Sequence, residues 1–232
     1  MNRRKLSAAV LSFALALVCA PAPAPCPAQE APPAPTPKPS EVFRQARPVS
    51  GPASPDPVAF EFEVNGFSYH VRQNGNGRRV KGDRTRRFNL RLDDGGLGRV
   101  YFHDYGGRLL LVCEVGDGES GGGFVTLLEQ PSMRARWKQT FPAPNVGEPL
   151  REGRHLYVTG AGFVGKLNLD TGEFDWTHED LYDPREGAPK HFTSFETPEL
   201  DGDAVLFRER PVYNPGKTLV VDRKSGKVIR VE

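Results

Sequence analysis

GRHLYVTGAGFVGKLNLDTGEFDWT, residues 153–177, is the stretch from which the architecture can be read. Leu156 and Val158 alternate with Tyr157, and Phe163, Leu167 and Leu169 share one face at period two, so both runs predict strands. Gly160, Ala161 and Gly162 permit a tight reversal between them. Asp170-Thr171-Gly172 then supplies a side-chain acceptor and a conformationally free residue for a second turn, which leads into Phe174 and Trp176. The unit is a three-strand meander, and it carries no catalytic motif.

Two further stretches repeat this order. Leu109 to Val115, Phe124 to Glu129 and Arg134 to Thr140 give strand, strand, turn and strand, with Trp137 eight residues after Glu129. Ala204 to Arg208, Thr218 to Asp222 and Lys227 to Val231 do the same, with Ser225-Gly226 at the turn. Arg230 stands there at the tryptophan position. In the central unit Trp176 follows Asp170 by six residues. The Asp, Thr-Gly, Trp succession resembles the repeats of β-propellers related to pyrroloquinoline-quinone enzymes, and LYVTGAGFVGKLNLDTG is similar to the YVTN-type propeller repeat. The resemblance covers roughly 99–232. It implies an all-β fold of propeller-like, antiparallel four-stranded units, with Trp137, Asp170, Gly172, Trp176, Asp222 and Gly226 as its structural repeat positions. At about 40 residues per blade there is room for about four units. Such a set either closes through pairing of the N-terminal segment with the C-terminal strand or stays an incomplete ring.

Working outward, Phe60 to Val64 and Phe67 to Val71 alternate around Asn65-Gly66, the pair favoured in a two-residue hairpin turn. That register sets Phe62 opposite Tyr69, Phe60 opposite Val71 and Glu61 opposite His70. His70 is expected to be a cross-strand partner, not a metal ligand. Next, Arg78 to Arg91 holds seven Lys or Arg residues against one Asp. Arg78, Arg79, Lys81, Arg84, Arg86 and Arg87 are the anion-binding candidates, expected to line one connected rim; the plain alternative is a solvated hairpin edge.

At the N-terminus Arg3, Arg4 and Lys5 precede the apolar run Leu6 to Val18 and a small-residue site ending at Ala28, the pattern of a signal peptide over 1–28. Acylation at Cys19 is the minor alternative. Residues 29–57, rich in proline and alanine, are expected to form a disordered tether, and 58–232 the folded domain. The mature chain has no expected transmembrane span. It is expected to be exported, periplasmic or extracellular, and to keep only Cys113, in the apolar run Leu109 to Cys113, as a buried inert thiol.

A formal net charge of +2 gives no basis for nucleic-acid binding. No metal or cofactor site is expected. The resemblance does not bring dehydrogenase activity, since neither a vicinal cysteine pair nor a calcium and aspartate set is recognisable. The expected function is a non-enzymatic binding or scaffold module of the cell envelope, partnered by an envelope protein or an acidic glycan or lipid surface. The alternative is an extracellular hydrolase or lyase acting on acidic polysaccharide, built from His103, Asp104, Tyr105, His178 and His191.

Overall fold

A computed structural model of the chain describes residues 42–49, 58–92, 95–116, 121–130, 132–182, 191–211 and 216–232. All lie in one compact unit spanning 35–232, and every regular element among them is a strand. Residues 1–28, most of 29–57, and residues 117–120 and 183–190 lie outside the described residues.

The strands form four antiparallel sheets. The first holds β3 (Val58–Val64), β4 (Phe67–Arg72), β5 (Asn76–Lys81) and β6 (Arg84–Asn89). The second holds β7 (Gly96–Tyr105), β8 (Arg108–Gly116), β9 (Gly121–Glu129) and β10 (Arg134–Phe141). The third is β11 (Leu150–Glu152), β12 (His155–Gly160), β13 (Phe163–Asn168) and β14 (Glu173–His178), and the fourth is β15 (Glu199–Asp201), β16 (Ala204–Arg208), β17 (Thr218–Asp222) and β18 (Val228–Val231). The central meander therefore gains a short strand, β11. β7, β11 and β15 each precede a strand that the sequence predicts. In the first hairpin the pairs Phe62 with Tyr69, Phe60 with Val71 and Glu61 with His70 form as expected. Asn65 and Gly66 turn with φ of 51° and 70°.

Alternation explains how the sheets stack. In β8, Leu109, Leu111 and Cys113 enter one core cluster with Phe62, Tyr69 and Phe102. Leu110 and Val112 face the other way, into a cluster with Leu156, Val158 and Phe163. A strand buried on both faces reads as a continuous apolar run, which is why Leu109 to Cys113 shows no alternation. A third cluster, of Tyr157, Val164, Val205, Phe207, Leu219 and Val221, joins the third and fourth sheets. Among the described residues the sheets do not close into a ring. The far face of the fourth sheet instead carries the ion pairs Arg208–Glu199 and Arg230–Glu232, both at 3.0 Å.

Two expectations are corrected. Residues 42–49, within the segment expected to be a disordered tether, form β1 (Arg44–Gln45) and β2 (Arg47–Pro48), which pair with β7 and β3 respectively. One short segment thus occupies the first-strand edge of two sheets. Between its two strands, Ala46 is 1% exposed and donates its N–H to Val100 O at 2.8 Å. Phe43 is buried beside the second cluster, and the Arg44 guanidinium lies 4.7 Å from the Phe102 ring centroid. Among the described residues the N-terminal segment pairs with the first two sheets, not with the C-terminal strand.

The other correction concerns the repeat. Trp137 Nε1 donates to Leu169 O at 3.2 Å and Trp176 Nε1 to Arg223 O at 3.4 Å, so each indole docks on the last turn of the following sheet. Three residues after each accepting carbonyl stand Gly172 and Gly226, with φ of 79° and 74°. A Cβ on either would lie 2.5 Å from the docked indole. Both turns close by an N–H to the carbonyl four residues back, from Gly172 to Asn168 and from Gly226 to Asp222. Asn168, not Asp170, is thus the counterpart of Asp222. Its side-chain oxygen accepts the N–H two residues on, that of Asp170, at 2.9 Å, whereas Asp222 Oδ1 accepts the N–H three residues on, that of Ser225, at 2.7 Å. Counted from Glu129, Asn168 and Asp222, the positions of Trp137, Trp176 and Arg230 are all eight residues on.

The junction of the first and second sheets is a variant of the same device. Arg79 donates to Gln130 O, and Met133, three residues later, adopts φ 57° and bonds its N–H to Glu129 O at 2.7 Å. No indole stacks on this turn. A residue with a Cβ therefore fits where the other two turns need glycine, and the Met133 side chain packs into the first cluster.

Candidate functional site

The basic segment folds as the hairpin β5–β6, with Arg79 opposite Arg86 and Lys81 opposite Arg84. Paired strand residues share a face, so these four cations sit on the side that carries Tyr69 and Phe67. Arg78 and Arg87, also paired, point to the other side. The single rim expected from sequence is therefore divided by the pleat into two faces.

The first face opens into a cleft of about 670 Å³ lined by Phe67, Arg79, Lys81, Arg84, Arg86 and Gln130. Arg79 and Lys81 lie over the Phe67 ring at 4.4 and 4.6 Å from its centroid. Among the described residues no carboxylate lines this cleft. Gln130 is 7% exposed, and its amide nitrogen has no hydrogen-bond partner. Tyr69, the cross-strand neighbour of Arg79, also has a buried hydroxyl without a partner, and burial pushes its pKa up to about 12.

The opposite face carries a concavity of about 470 Å³ beside His70, Arg72, Arg78 and Arg87. There His70 Nδ1 is 2.8 Å from Glu61 Oε1, the expected cross-strand pair. A third hollow, of about 710 Å³, lies at the junction of the third and fourth sheets and mixes both signs of charge. Its groups are internally matched: Arg223 pairs with Glu152 at 2.7 Å, His155 with Asp175 at 3.3 Å, and the buried Lys166 ammonium donates to Arg223 O at 3.0 Å. Tyr157 completes the set by donating to Glu152 Oε2 at 3.0 Å. This network stitches two sheets together.

The residues of the hydrolytic alternative do not converge. His103 donates through Nδ1 to Val42 O at 3.3 Å and stacks on Phe43 at 5.1 Å between centroids. Asp104 Oδ1 accepts the Gly107 N–H at 3.2 Å in the β7–β8 turn, and Tyr105 lies under Arg151. His178 bonds Gly226 O at 2.7 Å across the third junction, while His191 packs 4.9 Å from Tyr182. None of the three clefts contains any of them. Cys113 is fully buried, and burial pushes its thiol pKa well up, so it is an inert core residue.

Burial holds the pKa of His103 below its ordinary value, and that of His155 likewise. The unfolded chain therefore binds more protons than the folded one as the pH falls below about 6.5, and stability drops progressively as the folded-state pKa values are approached. Denaturant midpoints measured from pH 7.5 to 5 are expected to fall, with a shallower slope in His103→Gln. A parent slope unchanged by that substitution would contradict a buried neutral imidazole at position 103.

Sequence inspection missed Gln130 and Phe67 as cleft residues. Phe67 is recognisable only once the β4–β5 register is known, and Gln130 lies 51 residues from Arg79 in sequence.

The family described as outer membrane protein assembly factor BamB, of the PQQ-like repeat type, matches residues 87–230. Among solved structures, BamB from Moraxella catarrhalis is 18% identical with a TM-score of 0.45, covering 74% of this chain and 47% of that one. The computationally designed Ika8 protein is 11% identical, with a TM-score of 0.46 over 74% of this chain and 48% of its own. The quinohemoprotein alcohol dehydrogenase of Comamonas testosteroni is 14% identical, with a TM-score of 0.46 over 74% of this chain and 34% of its own. The chain spans about half the length of these proteins or less. No curated protein sequence matches it.

Proposed function

Because the chain belongs to the PQQ-like family described as outer membrane protein assembly factor BamB, we infer that it is an exported, non-enzymatic scaffold module that docks on another protein of the cell envelope. The family match over 87–230 is the observation that carries this. Residues 1–28 act as the export signal, with cleavage after Ala28, and the folded domain works in the periplasm or outside the cell. Two features of the molecule agree. The five residues of the hydrolytic alternative hold turns, stacks and junctions at separate places in the fold. The β5–β6 hairpin, by contrast, presents unmatched charge to a partner. No described helix is long and apolar enough to cross a membrane.

Affinity isolation of the tagged chain from detergent-solubilised envelope tests this function. One envelope protein is expected to co-purify in fixed ratio, and acidic polysaccharides incubated with the pure chain are expected to gain no new reducing or unsaturated ends. Recovery of the chain alone, together with polysaccharide cleavage, would overturn the scaffold function and favour the hydrolase or lyase.

A further inference from the structure

Four cations are held on one face of a two-stranded hairpin, and among the described residues no acid lines the cleft beside them, Asp83 standing in the turn at the hairpin's tip. Like charges placed directly opposite one another across strands destabilise a sheet. Both cross-strand pairs on this face, Arg79 with Arg86 and Lys81 with Arg84, are of that kind. The Phe67 ring relieves Arg79 and Lys81 in part, since cations are attracted to an aromatic face. Arg84 and Arg86 are exposed and have no such relief among the described contacts. Gln130 adds a second, independent signal: a nearly fully buried amide that lines the cleft and lacks a partner. Buried polar atoms are ordinarily satisfied, and an orphan beside a cationic cleft is what a missing acceptor leaves behind.

The spacing identifies the acceptor. Along β5 and β6 the cations stand two residues apart, about 6.6 to 6.8 Å, and across the strands about 5 Å. Convergent donors would suit one compact anion, whereas this array is spread out as a two-by-two grid. Side chains on one edge of an extended peptide repeat at the same distance of about 6.7 Å. Carboxylates at alternate positions can therefore pair with successive guanidinium or ammonium groups, an arrangement in which arginine binds with two parallel bonds.

We propose that the cleft between the β5–β6 hairpin and the β9–β10 turn binds an extended acidic peptide segment of a partner protein, with successive alternate carboxylates on the cross-strand pairs Arg79 with Arg86 and Lys81 with Arg84 and one further acceptor on the Gln130 amide. The site rests on the scaffold function above and specifies what that scaffold recognises. Arg78 and Arg87 lie on the other face and take no part.

The purified chain is titrated with an acetylated, amidated hexapeptide in which glutamate alternates with threonine, and binding is followed by calorimetry at low and high salt. Comparison probes are the same composition with its glutamates contiguous, inorganic phosphate, and vesicles of phosphatidylglycerol. The alternating peptide is expected to bind best, and to weaken about tenfold or more at high salt because exposed charges are screened within about 8 Å at physiological ionic strength. Arg84→Ser with Arg86→Ser is expected to weaken it by about tenfold, and Gln130→Leu by about threefold. Arg78→Ser with Arg87→Ser leaves it unchanged. All four arginines of the paired variants are exposed, so an unchanged melting temperature checks the fold. Equal losses from both arginine pairs, or binding of phosphate or vesicles without the peptide, would overturn the site. If an envelope partner still co-purifies in that case, the scaffold function stands and only the peptide site fails.

Discussion

Gly172→Ala is expected to lower stability by about 4 kcal/mol, close to the cost of removing the tryptophan that it supports. A Cβ at this position would stand 2.5 Å from Trp137 Cγ and Cδ2, so the indole must leave its seat on the turn. Loss of a large aromatic from a core ranges from about 3 to 5 kcal/mol, and the partly buried Trp137 belongs at the lower end. The left-handed backbone adds about 1 to 2 kcal/mol for any residue with a Cβ. Gly153→Ala separates these two effects, because Gly153 has φ 57° and open space around it. It is expected to cost only the backbone share of about 1 to 2 kcal/mol. In a Trp137→Ala background Gly172→Ala should shrink toward the Gly153 value. Urea unfolding of the four variants measures this, and equal costs for the two glycine substitutions would show that the indole does not dock on the turn.

Phe43→Ala is expected to cost about 3 kcal/mol, a large effect for a residue in the middle of a proline-rich segment. Its ring is 3% exposed and stacks on His103, and it anchors a segment whose backbone pairs with two sheets. Releasing residues 42–49 would also bare the first-strand edges of β3 and β7, and exposed edges invite pairing between chains. The variant is therefore expected to be cut by protease within 42–49 and to aggregate at lower denaturant concentration than the parent. A Phe43→Ala chain with an unchanged unfolding midpoint would show that the segment adds nothing to the fold.

What the sequence makes legible follows from where local chemistry decides. Asn65-Gly66 sets its hairpin register because a two-residue turn leaves no freedom, and β16 and β17 form at the predicted residues because each is a short apolar run bounded by polar residues. β1 and β2 escape notice since two-residue strands have no period to detect, and proline-rich surroundings argue for disorder. Asp170 was the obvious repeat aspartate from its place before Thr171-Gly172. The structure gives that place to Asn168, whose backbone carbonyl accepts the Gly172 N–H as that of Asp222 accepts the Gly226 N–H. The cleft was half legible: the cations stand out in a single run, but the pleat that divides them and the Gln130 turn that faces them come from pairing and from contacts distant in sequence.

Whether this chain works by docking on another envelope protein is decided most directly by photo-crosslinking in the living cell. A photo-reactive phenylalanine replaces Thr85, beside the cleft, or Lys227, on the exposed end of the fourth sheet. Illumination is expected to give one discrete adduct with an envelope protein from position 85, absent from position 227 and lost when Arg84 and Arg86 are serine. An exported, folded chain that forms no protein adduct from either position would contradict the docking function.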